Sequence, residues 1–202
     1  MSATLLPILL QGVRVSAELP THWQVYDDRG RRKYLNADER RRFLTAADLL
    51  PADLRALCYV LACTGCRISE ALALTPERLD RRGGKLLFRT LKRRKLCFRA
   101  VPVPPELVMM LAALPVAPGD CYWPMHRVTA WRHIKRLHAA AQVRGPMACC
   151  KGLPHWFGIR AASKSVPPNL IQRWMGHASP DTTSIYLDAV GVEEREFAKR
   201  MW

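Results

Sequence analysis

IQRWMGHASPDTTSIYL, residues 171–187, is the stretch on which the reading of this chain turns. It sets His177 and Tyr186 nine positions apart, on either side of a Ser179-Pro180 pair that opens a helix. More than a hundred residues upstream, TGCRISEAL (64–72) puts Arg67 just past an apolar helical run. A cation, an imidazole and a phenol in that order are side chains that can hold a phosphate and attack it. Taken singly, each has a plainer reading: a helix-end surface charge, a loop histidine, a half-buried core aromatic. Together with a basic hairpin between them they make a specific pattern.

Composition fits that reading. The chain has 202 residues, 49% of them apolar and 24% charged, which is globular and large enough for one core. Thirty-two Lys and Arg against 17 Asp and Glu leave a net charge of +15, the electrostatic footprint of a nucleic-acid partner. Leu5 to Leu10, broken by Pro7, is too short to span a membrane and has no basic residue ahead of it, so the cytoplasm is the expected compartment. Seven cysteines without regular spacing argue against a disulfide framework. Cys63-Thr-Gly-Cys66 is a lone CxxC that would need His126, His133 or His138 to complete a zinc site. Cys58 and Cys63 on an apolar helical face read more simply as small hydrophobes, and no metal is expected.

The expected fold is mainly α with a small antiparallel β-sheet or hairpin (α+β). Asn36 with Glu39 three residues on is a capping-box start, predicting a helix to about Ala47. Leu54, Leu57, Cys58, Leu61 and Ala62 follow the spacing of a buried helix ending near Thr64-Gly65. Ser69 to Leu74 predicts a short helix, and Lys85–Thr90 with Leu96–Val103 predicts two paired strands. Further helices are expected from Pro104-Pro105-Glu106 and at about 127–142, 155–164, 168–175, 180–187 and 192–200. Val13 to Val15 reads as extended, and Asp27 to Gly30 as a polar turn. Between Arg81 and Arg99 stand nine basic residues and no acidic one. Arg89, Arg93, Arg94, Lys95 and Arg99 are therefore expected to contact DNA.

These motifs resemble the tyrosine recombinases, the phage integrase family, and the resemblance covers about residues 36–202, the catalytic domain. It implies strand cleavage and rejoining through a 3′-phosphotyrosyl intermediate, with no cofactor and no small-molecule substrate. Arg67 resembles the first catalytic arginine and Glu70 its accompanying acid. Lys92, or Lys95 if the loop is longer, resembles the lysine of the hairpin turn. Lys151 in KGLPHWFG stands where the family has histidine and sometimes lysine. His177 in MGHAS resembles the histidine of the LGH motif, and Tyr186 in TTSIYL the nucleophile.

The departure is Pro154. The family motif here is H-x-x-R followed by histidine, so aligning Lys151 and His155 puts proline where the second catalytic arginine belongs. Proline has no cation and no N–H, although a first helical turn tolerates it. Arg160, six residues on, points about 240° away at 100° per residue and is not expected to substitute. The alternative to an enzyme is accordingly a catalytically silent DNA-binding protein derived from a recombinase. Residues 1–35 read as an N-terminal extension too short for the helical domain that clamps the other DNA face. GVEEREFAKRMW (191–202) resembles the C-terminal helix through which subunits meet on double-stranded DNA, with Phe197, Met201 and Trp202 as anchors, so a homo-oligomer is expected. The family context implies a mobile genetic element.

Overall fold

The computed structural model describes residues 27–90, 97–186, 198–199 and 201. The described residues contain eight α-helices, a 3-10 turn at Pro76–Arg78 and one small sheet: α1 (Ala37–Ala47), α2 (Ala52–Thr64), α3 (Ile68–Leu72), β1 (Leu79–Asp80), β2 (Lys85–Arg89), β3 (Phe98–Pro102), α4 (Pro105–Ala112), α5 (Arg127–Ala140), α6 (Gly152–Ser163), α7 (Pro168–Met175) and α8 (Asp181–Ser184). The mainly helical reading with a small antiparallel sheet is borne out. The expected strand at Val13–Val15, the turn at Lys92–Lys95 and most of the expected helix 192–200 lie outside the described residues.

Local signals account for most boundaries. The side chain of Asn36 accepts from the Glu39 N–H at 2.7 Å while Glu39 accepts from the Asn36 N–H at 2.8 Å, closing the capping box that starts α1. Gly65 ends α2 in the left-handed conformation, φ 62°, the usual glycine C-cap. A Cβ there would also lie 2.7 Å from the Phe157 ring, so the glycine lets α6 approach the end of α2. α6 starts at Gly152, three residues before the position expected from sequence, and this glycine too stands at a close approach. No side chain fits at 152, because a Cβ would lie 2.2 Å from the Met147 carbonyl oxygen.

β1 was not expected from sequence: two residues, Leu79↔Leu86 and Asp80↔Lys85, add an outer antiparallel strand to the β2–β3 pair. Leu86, Phe88 and Val101 fill the inner face of the sheet. α2 is the central helix, buried along Ala56, Leu57, Val60 and Leu61 and packed against α1, α4 and α6. A second, smaller cluster joins Tyr34, Ile159, Ala161, Ile171, Met175 and Tyr186. It fixes α6 against α7 and α8, and so positions the far side of the candidate site. No helix among the described residues is long and apolar enough to cross a membrane.

Candidate active site

Arg67 is the N-cap of α3, placed there because α2 must stop at Gly65. Glu70 at the third helical position accepts from the Arg67 backbone N–H at 2.8 Å and from its guanidinium at 3.3 Å. The Arg67 side chain stays 38% exposed, so it has donors left for a ligand. Glu70 is buried and receives a second cation. Arg99 donates to its two oxygens at 3.1 and 2.7 Å, to the Trp174 carbonyl at 2.8 Å and to Thr90 at 3.4 Å. Burial would raise the Glu70 carboxyl, but hydrogen bonding and charge from Arg99, then Arg67, hold it below its ordinary range.

Arg99 therefore corrects the expectation that it contacts DNA. It is 5% exposed, lies over the Phe88 ring, and ties β3 to α3 and to the end of α7. The signal was in the sequence: with Val101 facing inward, period-two alternation turns Arg99 inward as well. Arg89, on the outer face of β2, is exposed. Lys92, Arg93, Arg94 and Lys95 lie outside the described residues.

His177 follows Gly176, the left-handed C-cap of α7 at φ 68°. A Cβ at Gly176 would sit 3.1 Å from the Arg99 guanidinium, so this glycine serves both the turn and the close approach. Nδ1 of His177 shares a 2.9 Å hydrogen bond with Thr183, and its ring stacks on Tyr186 at a centroid distance of 6.0 Å. Burial, then the charge of Arg67, pushes the His177 imidazole down to about 4, which makes it neutral at physiological pH.

Tyr186 follows α8 and is 5% exposed. Its ring packs over Gly158, where a Cβ would lie 2.6 Å from it. Burial raises its phenol above the ordinary value, and Arg67 pulls the other way. Its hydroxyl meets Nδ1 of His155 at 3.4 Å, with the rings edge to face. His155 is the residue that sequence reasoning used only to set a register. It stands on one helical face with Lys151, four residues earlier, and Gly158, three later. Arg67, His155, His177 and Tyr186 are thus brought together, and Lys151 caps the helix that carries His155.

Pro154 occupies the third position of α6, where a missing N–H costs no intrahelical bond. It lies on the same row as Phe157, which packs over Gly65 two residues before Arg67. Arg160 stands elsewhere, over the Trp156 ring whose other cation is Arg40, lining a cavity of about 360 Å³ with Cys63 and Trp174. Among the described residues no three His, Cys, Asp or Glu side chains gather as metal ligands. Cys58 and Cys66 are core residues whose thiols burial pushes up to about 12.

No protein-family model and no curated protein matches the sequence. Solved structures do match. The XerA recombinase is 26% identical with a TM-score of 0.72, over 83% of this chain and 64% of that one. The XerH site-specific recombinase, in a pre-cleavage complex with its difH substrate, is 22% identical at 0.67, over 88% of this chain and 59% of that one. The catalytic domain of bacteriophage HP1 integrase is 21% identical at 0.64, over 82% of this chain and 93% of that domain. The chain thus spans about three fifths of the two longer recombinases and most of the isolated domain. This chain has the catalytic-domain fold of the tyrosine recombinases, the phage integrase family.

Proposed function

We propose that residues 36–202 act as the catalytic domain of a site-specific DNA recombinase, with Tyr186 attacking a backbone phosphate to leave a 3′-phosphotyrosyl bond. The observation that carries this reading is the meeting of Arg67, His177 and Tyr186 around the buried Glu70–Arg99 pair. Arg67 has the planar, permanently charged fork that grips two non-bridging oxygens. The ester stores the energy of the broken bond, so resealing needs no cofactor. Lys151 and Lys92 are proposed as proton donors and phosphate contacts, Arg89, Arg93, Arg94 and Lys95 as holders of the duplex, and the C-terminal segment as the contact with a second copy. Double-stranded DNA of a mobile element is the proposed substrate.

Pro154 sets the level of activity. Losing one preorganised donor to a developing phosphorane costs about 10²–10³ in rate. It also favours a second reading, a DNA-binding protein that retains the fold and no longer cuts.

Both readings meet in one assay, trapping of covalent complex on a nicked duplex pool of randomised sequence from which the cleaved strand end diffuses away. The unmodified chain is expected to give a faint band, Pro154→Arg a band at least about a hundredfold faster, and Pro154→Arg/Tyr186→Phe none. Equal rates for the unmodified chain and Pro154→Arg would sink the assignment of Pro154 as the defect. Binding without a band from either leaves the DNA-binding reading standing.

A further inference from the structure

The nucleophile of such a reaction must lose its proton as it attacks, and burial makes the Tyr186 phenol reluctant to do so. At the family's second-arginine position no cation stands beside it, and at the family's histidine position stands Lys151. His177, the histidine that the motif supplies, presents its ring face to Tyr186 and spends Nδ1 on Thr183. Among the described residues His155 alone aims a ring nitrogen at the phenol oxygen.

We infer that His155 is the general base of this site, accepting the Tyr186 proton at Nδ1 as the phenol oxygen attacks phosphorus. The inference rests on the recombinase reading of Tyr186. The Tyr186 O–H bond breaks and its proton passes to Nδ1, leaving His155 an imidazolium. The phenol oxygen bonds to phosphorus, the bond from phosphorus to the 5′ oxygen breaks, and that oxygen leaves as a hydroxyl with a proton from a lysine ammonium or water. Nδ1 can accept only if the neutral ring carries its own proton on Nε2.

The geometry carries the assignment. The 3.4 Å separation is long for O–H···N, as hydrogen bonds in unliganded sites often are before substrate tightens them. The groups bearing on the ring are Lys151 from its own helix, Lys33 ahead of α1, and Tyr186 and His177 from beyond α7. Burial first, then the two lysines, lowers the affinity of His155 for a proton, which favours a neutral resting ring and makes Nδ1 a weaker acceptor until the negative phosphate stands beside it. The Tyr186 ring packs on Gly158, one turn along from His155, so α6 holds the base and the seat of the nucleophile on one face.

The first test needs neither DNA nor turnover. Nitrogen-15 NMR of histidine-labelled protein is expected to show His155 protonated at Nε2 and bare at Nδ1. A proton on Nδ1 overturns the inference, because that nitrogen would then donate to the phenol oxygen. The second uses thymidine 3′-(4-nitrophenyl phosphate), whose leaving group departs without protonation and so isolates activation of the nucleophile. His155→Ala is expected to slow nitrophenolate release about a hundredfold. It should also abolish the rise of rate with pH, and added imidazole should restore part of the loss, which a packing role would not allow. If Tyr186→Phe abolishes release and His155→Ala leaves it unchanged, the base assignment is wrong and the recombinase reading stands. Release that survives Tyr186→Phe unchanged overturns both.

Discussion

Replacing Arg99 with methionine keeps an unbranched apolar stem and removes the guanidinium. Glu70 then loses the 3.1 and 2.7 Å bonds, the Trp174 carbonyl its 2.8 Å donor and Thr90 its 3.4 Å one. A buried carboxylate stripped of its partner typically costs about 3–5 kcal/mol. Here Arg67 still reaches Glu70 through its backbone and guanidinium, which favours the low end, about 3 kcal/mol. Against a total stability of about 5–15 kcal/mol that is a large fraction. Urea unfolding followed by circular dichroism should show the midpoint fall with an unchanged slope. Adding Glu70→Gln to Arg99→Met should recover part of the loss, because the stranded charge is gone. The sign of the pH effect follows from Glu70. Its folded carboxyl is depressed, so it stabilises above its unfolded value and that stability is lost as pH falls. Without Arg99 burial moves the folded carboxyl back up, so this acid-dependent loss should shrink and the deficit of the variant should narrow as pH falls. DNA affinity should keep the same dependence on salt. A stability change below about 1 kcal/mol, combined with a salt slope reduced by about one, would mean that Arg99 touches phosphate and that the strut does not exist.

Three further outcomes follow from particular residues. His138 is 1% exposed and packed on Phe43, and burial pushes it down to about 4, against a weaker opposing contact with the Cys149 backbone; His177 shares that value. The unfolded chain binds their protons first, so stability should fall as pH drops from about 6.5 to 4, by about 3 kcal/mol for His138, and His138→Leu should remove its share; an unfolding free energy equal at pH 4.5 and 7 refutes this. Gly158→Ala, which in an open helix gains about 1 kcal/mol, should here cost about 1–3 kcal/mol by displacing the Tyr186 ring; a stabilised variant would mean that the ring is not seated on α6. Neutralising Arg93, Arg94 and Lys95 together should lower the salt slope of DNA binding by about 2 to 3, and an unchanged slope would reduce the run to a solvated edge.

The fold was legible where local chemistry decides it. The capping box at Asn36, the glycine stop at Gly65 and the period of α2 each name their element without help from the rest of the chain. The site was legible less evenly, because a motif gives the type and order of side chains but not their partners. Arg67, Glu70, His177 and Tyr186 could be picked out in order; Arg99 could not be told from its eight basic neighbours by charge alone, and only strand alternation separates a strut from a solvent-facing contact. His155 was invisible as a functional group for a related reason. Its importance lies in a contact with Tyr186, thirty-one residues later, that α6 and α8 create by packing through Gly158 and Ile159. Helix position bears in its own way on Pro154, which on the proposed function stands where a phosphate donor belongs. The third position of a helix asks for no N–H, so the backbone is indifferent to whether proline or arginine stands there. On the proposed function helix and phosphate therefore constrain position 154 independently, and the second requirement can be lost while every structural signal of the first remains in place.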